Sequence, residues 1–96
     1  MKILALEEDL TGTVEADSAA LLLAEARAVW DLVQAGTIRG IYFREGRTQA
    51  VIMLEAESTR QAQEILAGMP LVKAGRTRFE VIGLQPYPGF ARLFAV

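Results

Sequence analysis

Cysteine and histidine are both absent from the 96 residues of this chain. Without cysteine the protein has no disulfide, no thiolate nucleophile and no Cys-ligated metal. Without histidine it lacks the usual proton-transfer group near neutral pH and the commonest metal ligand. A Ser-His-Asp triad and a zinc site are therefore excluded, and we expect no metal. Any chemistry must use carboxylates, arginine, lysine, tyrosine or hydroxyl groups.

An excess of one charge and a long apolar run are also missing. Ten Lys and Arg residues against twelve Asp and Glu residues give a net charge of -2, whereas nucleic-acid-binding domains usually carry a basic excess. The longest apolar run, residues 19–24, is far short of the roughly 20 residues that span a bilayer. The N-terminus turns acidic too early for a signal peptide. We expect a cytoplasmic protein with no nucleic-acid or membrane partner.

Six segments with strand or helix periodicity follow one another along the chain. Their order is strand, helix, strand, strand, helix, strand. The strands are predicted at residues 2–7, 37–44, 49–55 and 76–84, the first helix runs to about 35, and the second lies between 58 and 70. Residues 10–16 are predicted to be a loop. This order predicts an α+β, ferredoxin-like βαββαβ domain over residues 1–96, with two helices on one face of a four-stranded antiparallel sheet.

The two helices carry start signals, stop signals and apolar stripes. Asp17 or Ser18 is expected to cap the first helix, and Gly36 to end it. Its stripe consists of Leu22, Ala26, Val29, Trp30 and Val33, which predicts that Trp30 lies in the core.

The second helix begins with a capping box formed by Ser58 and Gln61. Its stripe consists of Ala62, Ile65, Leu66 and Met69, and Gly68 and Pro70 are expected to end it. Between the second and third strands, the segment Glu45-Gly46-Arg47 indicates a hairpin.

The sheet has more apolar residues than one covered face can use, because 52% of the chain is hydrophobic. Strand alternation predicts one face with Ile3, Ala5, Ile41, Phe43, Ile52, Leu54, Phe79 and Val81. The other face then carries Leu4, Leu6, Tyr42, Arg44, Val51, Met53, Glu55, Arg78, Glu80 and Ile82. This second face is too apolar for open water. It predicts a homodimer with stacked sheets, to which the tail at about 85–96 adds contacts. The alternative is that the tail folds back over its own sheet.

Several segments resemble one known family. They are Gly36 to Arg44, Met69-Pro70-Leu71-Val72 after the second helix, Phe79 to Leu84, and the corner Gln85-Pro86-Tyr87. Together they resemble the muconolactone isomerase-like proteins of the dimeric α/β-barrel superfamily, over most of the chain from residue 36 onward. The resemblance implies a cofactor-free isomerase that moves a proton within a small unsaturated lactone, in a closed homo-oligomer. The family's histidines and tryptophan are replaced here by Tyr42 and Tyr87-Pro88.

Five residues are candidates for a functional site, and four of them lie on the second face. Glu80, in the middle of the last strand, is the candidate base. Tyr42, Arg44 and Arg78 are candidates to bind a carboxylate or an oxyanion, and Tyr87 sits in the rigid Pro-Tyr-Pro corner. Each also has a structural interpretation: an ion pair for Glu80 or Arg78, a strand end for Arg44, and core or interface packing for the two tyrosines.

The remaining acidic residues at strand ends are expected to be solvated; these are Glu7, Glu8 and Glu55. Two functions stay open at this point. The first is a proton-transfer enzyme on a small lactone or carboxylate, with Glu80 as the base. The second is a non-catalytic small-molecule-binding or assembly protein with the same fold.

Overall fold

The computed structural model describes residues 1–10 and 18–95. The strands are β1 (Lys2–Asp9), β2 (Ile38–Phe43), β3 (Ala50–Glu55) and β4 (Thr77–Leu84). The helices are α1 (Ala19–Gln34), α2 (Thr59–Ala67) and a single turn, α3 (Pro70–Lys73), and a 3₁₀ turn covers Gly89–Leu93. The predicted element order and the α+β, ferredoxin-like fold are confirmed. The predicted loop at 10–16 and the alternative cap Asp17 fall almost wholly outside the described residues.

The four strands form one antiparallel sheet in the order β2-β3-β1-β4. Side chains on paired strands share a face when their residues lie opposite each other. Ile3 pairs with Leu54, and Leu4 pairs with both Met53 and Ile82, so the two predicted faces are confirmed. A register shift between Ile38 and Gly40 adds Ile38 to the covered face.

The core lies between that covered face and α2. Ile3, Ile52 and Leu54 of the sheet are buried, and so are Leu66 and Met69 on the helical side. Burial of each such side chain contributes about 1.5–3 kcal/mol relative to exposure. The predicted stripe of α2 is therefore confirmed as its packing face.

Local signals explain where the helices begin and end. The Ser18 hydroxyl accepts a hydrogen bond from the Leu21 amide at 3.1 Å, and Ser58 does the same for Gln61 at 3.0 Å. Gly36 follows α1 with φ +78°, a conformation in which side chains are strained. Pro70 was expected only to end the second helix. Instead it begins α3, because a proline at the first helical position loses no hydrogen bond.

Helix α1 departs from its predicted packing. The prediction that Trp30 lies in the core is wrong, since its side chain is 61% exposed. Val29, Leu32 and Val33 are half-buried against the core, and no residue of α1 is fully buried. The helix packs mainly against β2 and α3, so it covers only part of the sheet. No described helix is long and apolar enough to cross a membrane.

None of the described helices packs on the second sheet face. Leu4, Leu6, Val51 and Met53 remain half-buried there. The alternative in which the tail folds back over this face is wrong for the described residues. The side chains of Phe90, Leu93 and Phe94 stay 67–80% exposed, and the molecule extends over 61 Å in its longest direction. We call this second face the open face.

Candidate functional site

A cavity of about 810 Å³ lies between α1 and the covered face of the sheet. We call it the α1 cavity. Its apolar walls include Val29, Trp30, Phe43, Ile52 and Phe79. Its size and mostly apolar lining are those of small-molecule sites. The cavity exists because α1 packs on β2 and α3 instead of lying against the middle of the sheet.

Glu25 brings a carboxylate from α1 into the cavity. Its Oε1 accepts a hydrogen bond from the Leu71 amide at 2.9 Å. That amide is in the first turn of α3, where helical N–H groups have no partner within the helix. Burial raises the pKa of Glu25; the Leu71 hydrogen bond opposes this shift, and the charge of Glu7 adds to it. A carboxyl group with a raised pKa is suited to general base catalysis near neutral pH.

Glu7 brings a second carboxylate to the same cavity, from β1. Its Oε1 accepts a hydrogen bond from the Ala50 amide at 2.8 Å. The prediction that Glu7 is a solvated strand end is therefore wrong. Because residues two apart in a strand share a face, Glu7 follows Ile3 and Ala5 onto the covered side.

Polar residues also line the α1 cavity. Asp9, Arg76 and Thr77 belong to its lining. The Asp9 carboxylate accepts a hydrogen bond from the Gln49 side chain at 3.5 Å, and the buried Thr77 hydroxyl donates one to the Glu8 carbonyl at 2.8 Å. Among the described residues, no group of three carboxylates is placed to hold a metal ion. The site is therefore a mixed apolar and acidic cavity.

The predicted site residues of β4 lie on the open face. Glu80 is exposed opposite Leu6. Arg78 donates a hydrogen bond to the Glu8 carboxylate at 2.8 Å. This is the ion pair given by the structural interpretation of Arg78, and its partner is Glu8 because the two residues lie opposite each other in the register of β1 and β4. Neither Glu80 nor Arg78 belongs to the lining of the α1 cavity.

The other predicted site residues are also outside the cavity. Tyr42 is 66% exposed, with its ring against Gly40. Arg44 donates a hydrogen bond to the Gln49 side chain at 3.3 Å, in the hairpin after β2. Tyr87 makes an edge-to-face contact with Phe90, with ring centroids 5.1 Å apart. Within the described chain, the five candidates are not brought together into one enclosed site.

Glu7 and Glu25 were both missed as site residues from the sequence. The signal for Glu7 was the strand alternation, which places it on the same side as Ile3. The signal for Glu25 was weaker. It lies on the flank of the apolar stripe, three residues after Leu22 and four before Val29, where a helix side chain still reaches the covered side.

Comparisons with known proteins agree on the fold. No protein-family model and no curated protein sequence matches this chain. A muconolactone isomerase solved at 3.3 Å resolution is similar with a TM-score of 0.74 and 21% identity, over 92% of both chains. A 5-chloro-2-hydroxyhydroquinone dehydrochlorinase from Burkholderia phenoliruptrix, in complex with 2,5-dihydroxybenzoquinone, is similar with a TM-score of 0.62 and 19% identity. That match covers 93% of this chain and 98% of the dehydrochlorinase. The chain therefore has the fold of the muconolactone isomerase that its sequence resembles.

Proposed function

We propose that the protein is a cofactor-free proton-transfer catalyst of the isomerase type, acting on a small unsaturated lactone or carboxylate in the α1 cavity. The observation that carries the proposal is Glu25, a carboxylate inside a cavity of about 810 Å³ whose pKa is raised by burial. The fold shared with a muconolactone isomerase supports it.

The chemistry needs one base and one stabiliser of negative charge. The Glu25 carboxylate takes a proton from the carbon beside the substrate carbonyl. The electrons of that C–H bond form a C=C bond, and the π electrons of the carbonyl move to its oxygen. The guanidinium of Arg76, which lines the same cavity, supplies N–H donors for this enolate-like oxygen. The protonated Glu25 then returns its proton to the far end of the conjugated system, which shifts the double bond.

The open face offers a second location for the same chemistry. There Glu80 would be the base, with Tyr42, Arg44, Arg78 and Tyr87 around the anion. This arrangement requires a second copy of the chain, since Glu80 and Tyr42 are exposed in one chain. A homodimer or larger homo-oligomer is supported by the half-buried apolar residues of the open face and the exposed tail. Light scattering at micromolar concentration tests it, and a monomer would refute it.

Variants of the two glutamates separate the two locations. Proton exchange and isomerisation of a β,γ-unsaturated butenolide are followed by NMR in D₂O. General base catalysis contributes about 10²–10⁴-fold, so we expect Glu25→Gln to lose activity by about 100-fold or more. Glu64→Gln, an exposed change on α2, is the matched control. A rate that falls with Glu80→Gln and not with Glu25→Gln would place the base on the open face.

The second candidate function is non-catalytic binding of a small molecule, or assembly. The absence of histidine favours it, because no histidine is available for proton transfer. Native mass spectrometry of the purified protein, followed by incubation of any bound compound with the protein, distinguishes the two functions. A retained compound that the protein leaves unchanged supports binding alone.

A further inference from the structure

The charges of the α1 cavity are unbalanced. Among the residues that the structure describes, its lining contains three carboxylates, those of Glu7, Asp9 and Glu25, and one guanidinium, that of Arg76. The excess is two negative charges when Glu25 is ionised and one when it is protonated. Arg76 offsets at most one of the carboxylates, whatever its partner.

The two other arginines predicted to bind an anion lie outside the cavity. Arg78 is paired with Glu8 on the open face, and Arg44 bonds to Gln49 in the hairpin. A carboxylate ligand entering the α1 cavity would therefore meet net repulsion. The low polarity of the walls strengthens this repulsion relative to water.

The cavity walls add a second preference. Trp30, Phe43 and Phe79 all contribute to the lining. Aromatic faces attract cations through their electron-rich rings, with tryptophan the strongest. A metal ion is a poor match, because no three carboxylates of the described residues are placed to coordinate one. An acidic cavity with aromatic walls instead matches an organic cation.

We propose that the α1 cavity takes a small ring compound that carries a protonated amine and discriminates against ring compounds that carry a carboxylate. This inference rests on the proposed function of the same cavity and narrows its substrate class, because it keeps the unsaturated lactone and excludes the carboxylate. The ring would lie against the aromatic walls, and the ammonium group would lie between Glu7 and Asp9, leaving Glu25 for proton transfer.

Trp30 gives a direct binding assay, because it is the only tryptophan of the chain and it lines the cavity. Its fluorescence is titrated with three probes that share a phenyl ring and differ in charge: benzylammonium, benzyl alcohol and benzoate. We expect benzylammonium to bind at least about tenfold more tightly than benzoate, with benzyl alcohol between them. Raising the salt concentration should narrow this difference.

Charge-removing variants then identify the source of the preference. The double variant Glu7→Gln/Asp9→Asn keeps an oxygen acceptor at each site, and we expect it to lose the preference for benzylammonium. Glu8→Gln is the matched control, because it removes one charge from the same strand on the opposite face. Melting curves confirm that each variant is folded.

Three outcomes would overturn the inference: benzoate binding as tightly as benzylammonium, none of the probes binding, or the preference surviving in the double variant. These readouts do not depend on turnover. If the charge preference holds but Glu25→Gln leaves the isomerisation rate unchanged, the proposed catalysis fails and the ligand class stands. If Glu25→Gln lowers the isomerisation rate but benzoate binds most tightly, the proposed ligand class fails and the proposed catalysis stands.

Discussion

Glu25 joins two helices that are far apart in sequence, and its substitution tests how α1 is held above the sheet. Its carboxylate accepts the Leu71 amide at 2.9 Å, and its stem lies half-buried beside the cavity. Glu25→Ala removes both the acceptor and the stem. Glu25→Gln keeps the stem and an oxygen acceptor but removes the charge.

The expected cost of the alanine variant follows from these contacts. The lost hydrogen bond is worth about 1 kcal/mol. Each of the two methylene groups of the side chain would contribute about 0.8 kcal/mol if it were fully buried. Because the stem is only half-buried, the two together contribute roughly 0.8 kcal/mol. Relief of the buried charge offsets part of the loss, which leaves a destabilisation of about 1–2 kcal/mol. For a domain of this size that lowers the melting temperature by about 4–15 °C.

The glutamine variant isolates the charge. Because the pKa of Glu25 is raised above its ordinary value of 4.5, the folded state holds this proton more tightly than the unfolded state. The wild-type protein therefore loses free energy of unfolding as the pH rises from about 4.5 through the folded-state pKa. The Glu25→Gln variant has no carboxylate at this position and does not lose this free energy of unfolding. At pH 8 we therefore expect Glu25→Gln to be the most stable, the wild type to be less stable and Glu25→Ala to be the least stable.

Thermal melts followed by circular dichroism between about pH 4 and pH 8 measure both effects. The melting temperature of Glu25→Gln should exceed that of the wild type by an amount that increases with pH. A constant gap across this range would refute the raised pKa of Glu25, and an alanine variant as stable as the wild type would refute its role in holding α1.

Three further substitutions test the packing and the helix ends. Leu66→Ala should cost about 2–5 kcal/mol in urea unfolding, because Leu66 is only 2% exposed; a loss below about 1 kcal/mol would contradict its place in the core. Ser58→Ala should cost about 1 kcal/mol by removing the acceptor for the Gln61 amide, and Ser58→Thr, which keeps the hydroxyl, is the control. Arg60→Ala breaks an exposed ion pair with Glu64, and the melting temperature should stay unchanged; a clear decrease would show that this pair is stabilising.

The strands were the most predictable part of the molecule. Side chains of a strand alternate strictly between the two faces of the sheet, so assigning one residue to a face also assigns all the others in that strand. This rule placed Ile3, Ile52 and Phe79 correctly on the covered face. Applied to Glu7, it predicts the covered face as well. Its charge, which is typical of a solvated strand end, favoured the wrong interpretation.

Helix α1 could not be predicted in the same way. An apolar stripe indicates which side of a helix faces the protein, but it does not give the distance to the opposite surface. Trp30 is on the stripe and yet 61% exposed, because α1 rests on β2 and α3. The contact between Glu25 and the Leu71 amide joins residues 46 positions apart, and no local pattern encodes such a contact.

The raised position of α1 links cavity occupancy to stability. The helix buries no residue completely, and apolar side chains such as Leu22, Trp30 and Phe43 remain exposed around the cavity. A ligand that removes these surfaces from water binds only the folded state. It must therefore stabilise that state in proportion to the logarithm of its concentration relative to its dissociation constant. Because the half-buried contacts of α1 alone provide little packing energy, ligand binding is expected to stabilise this helix more than the α2 side of the core.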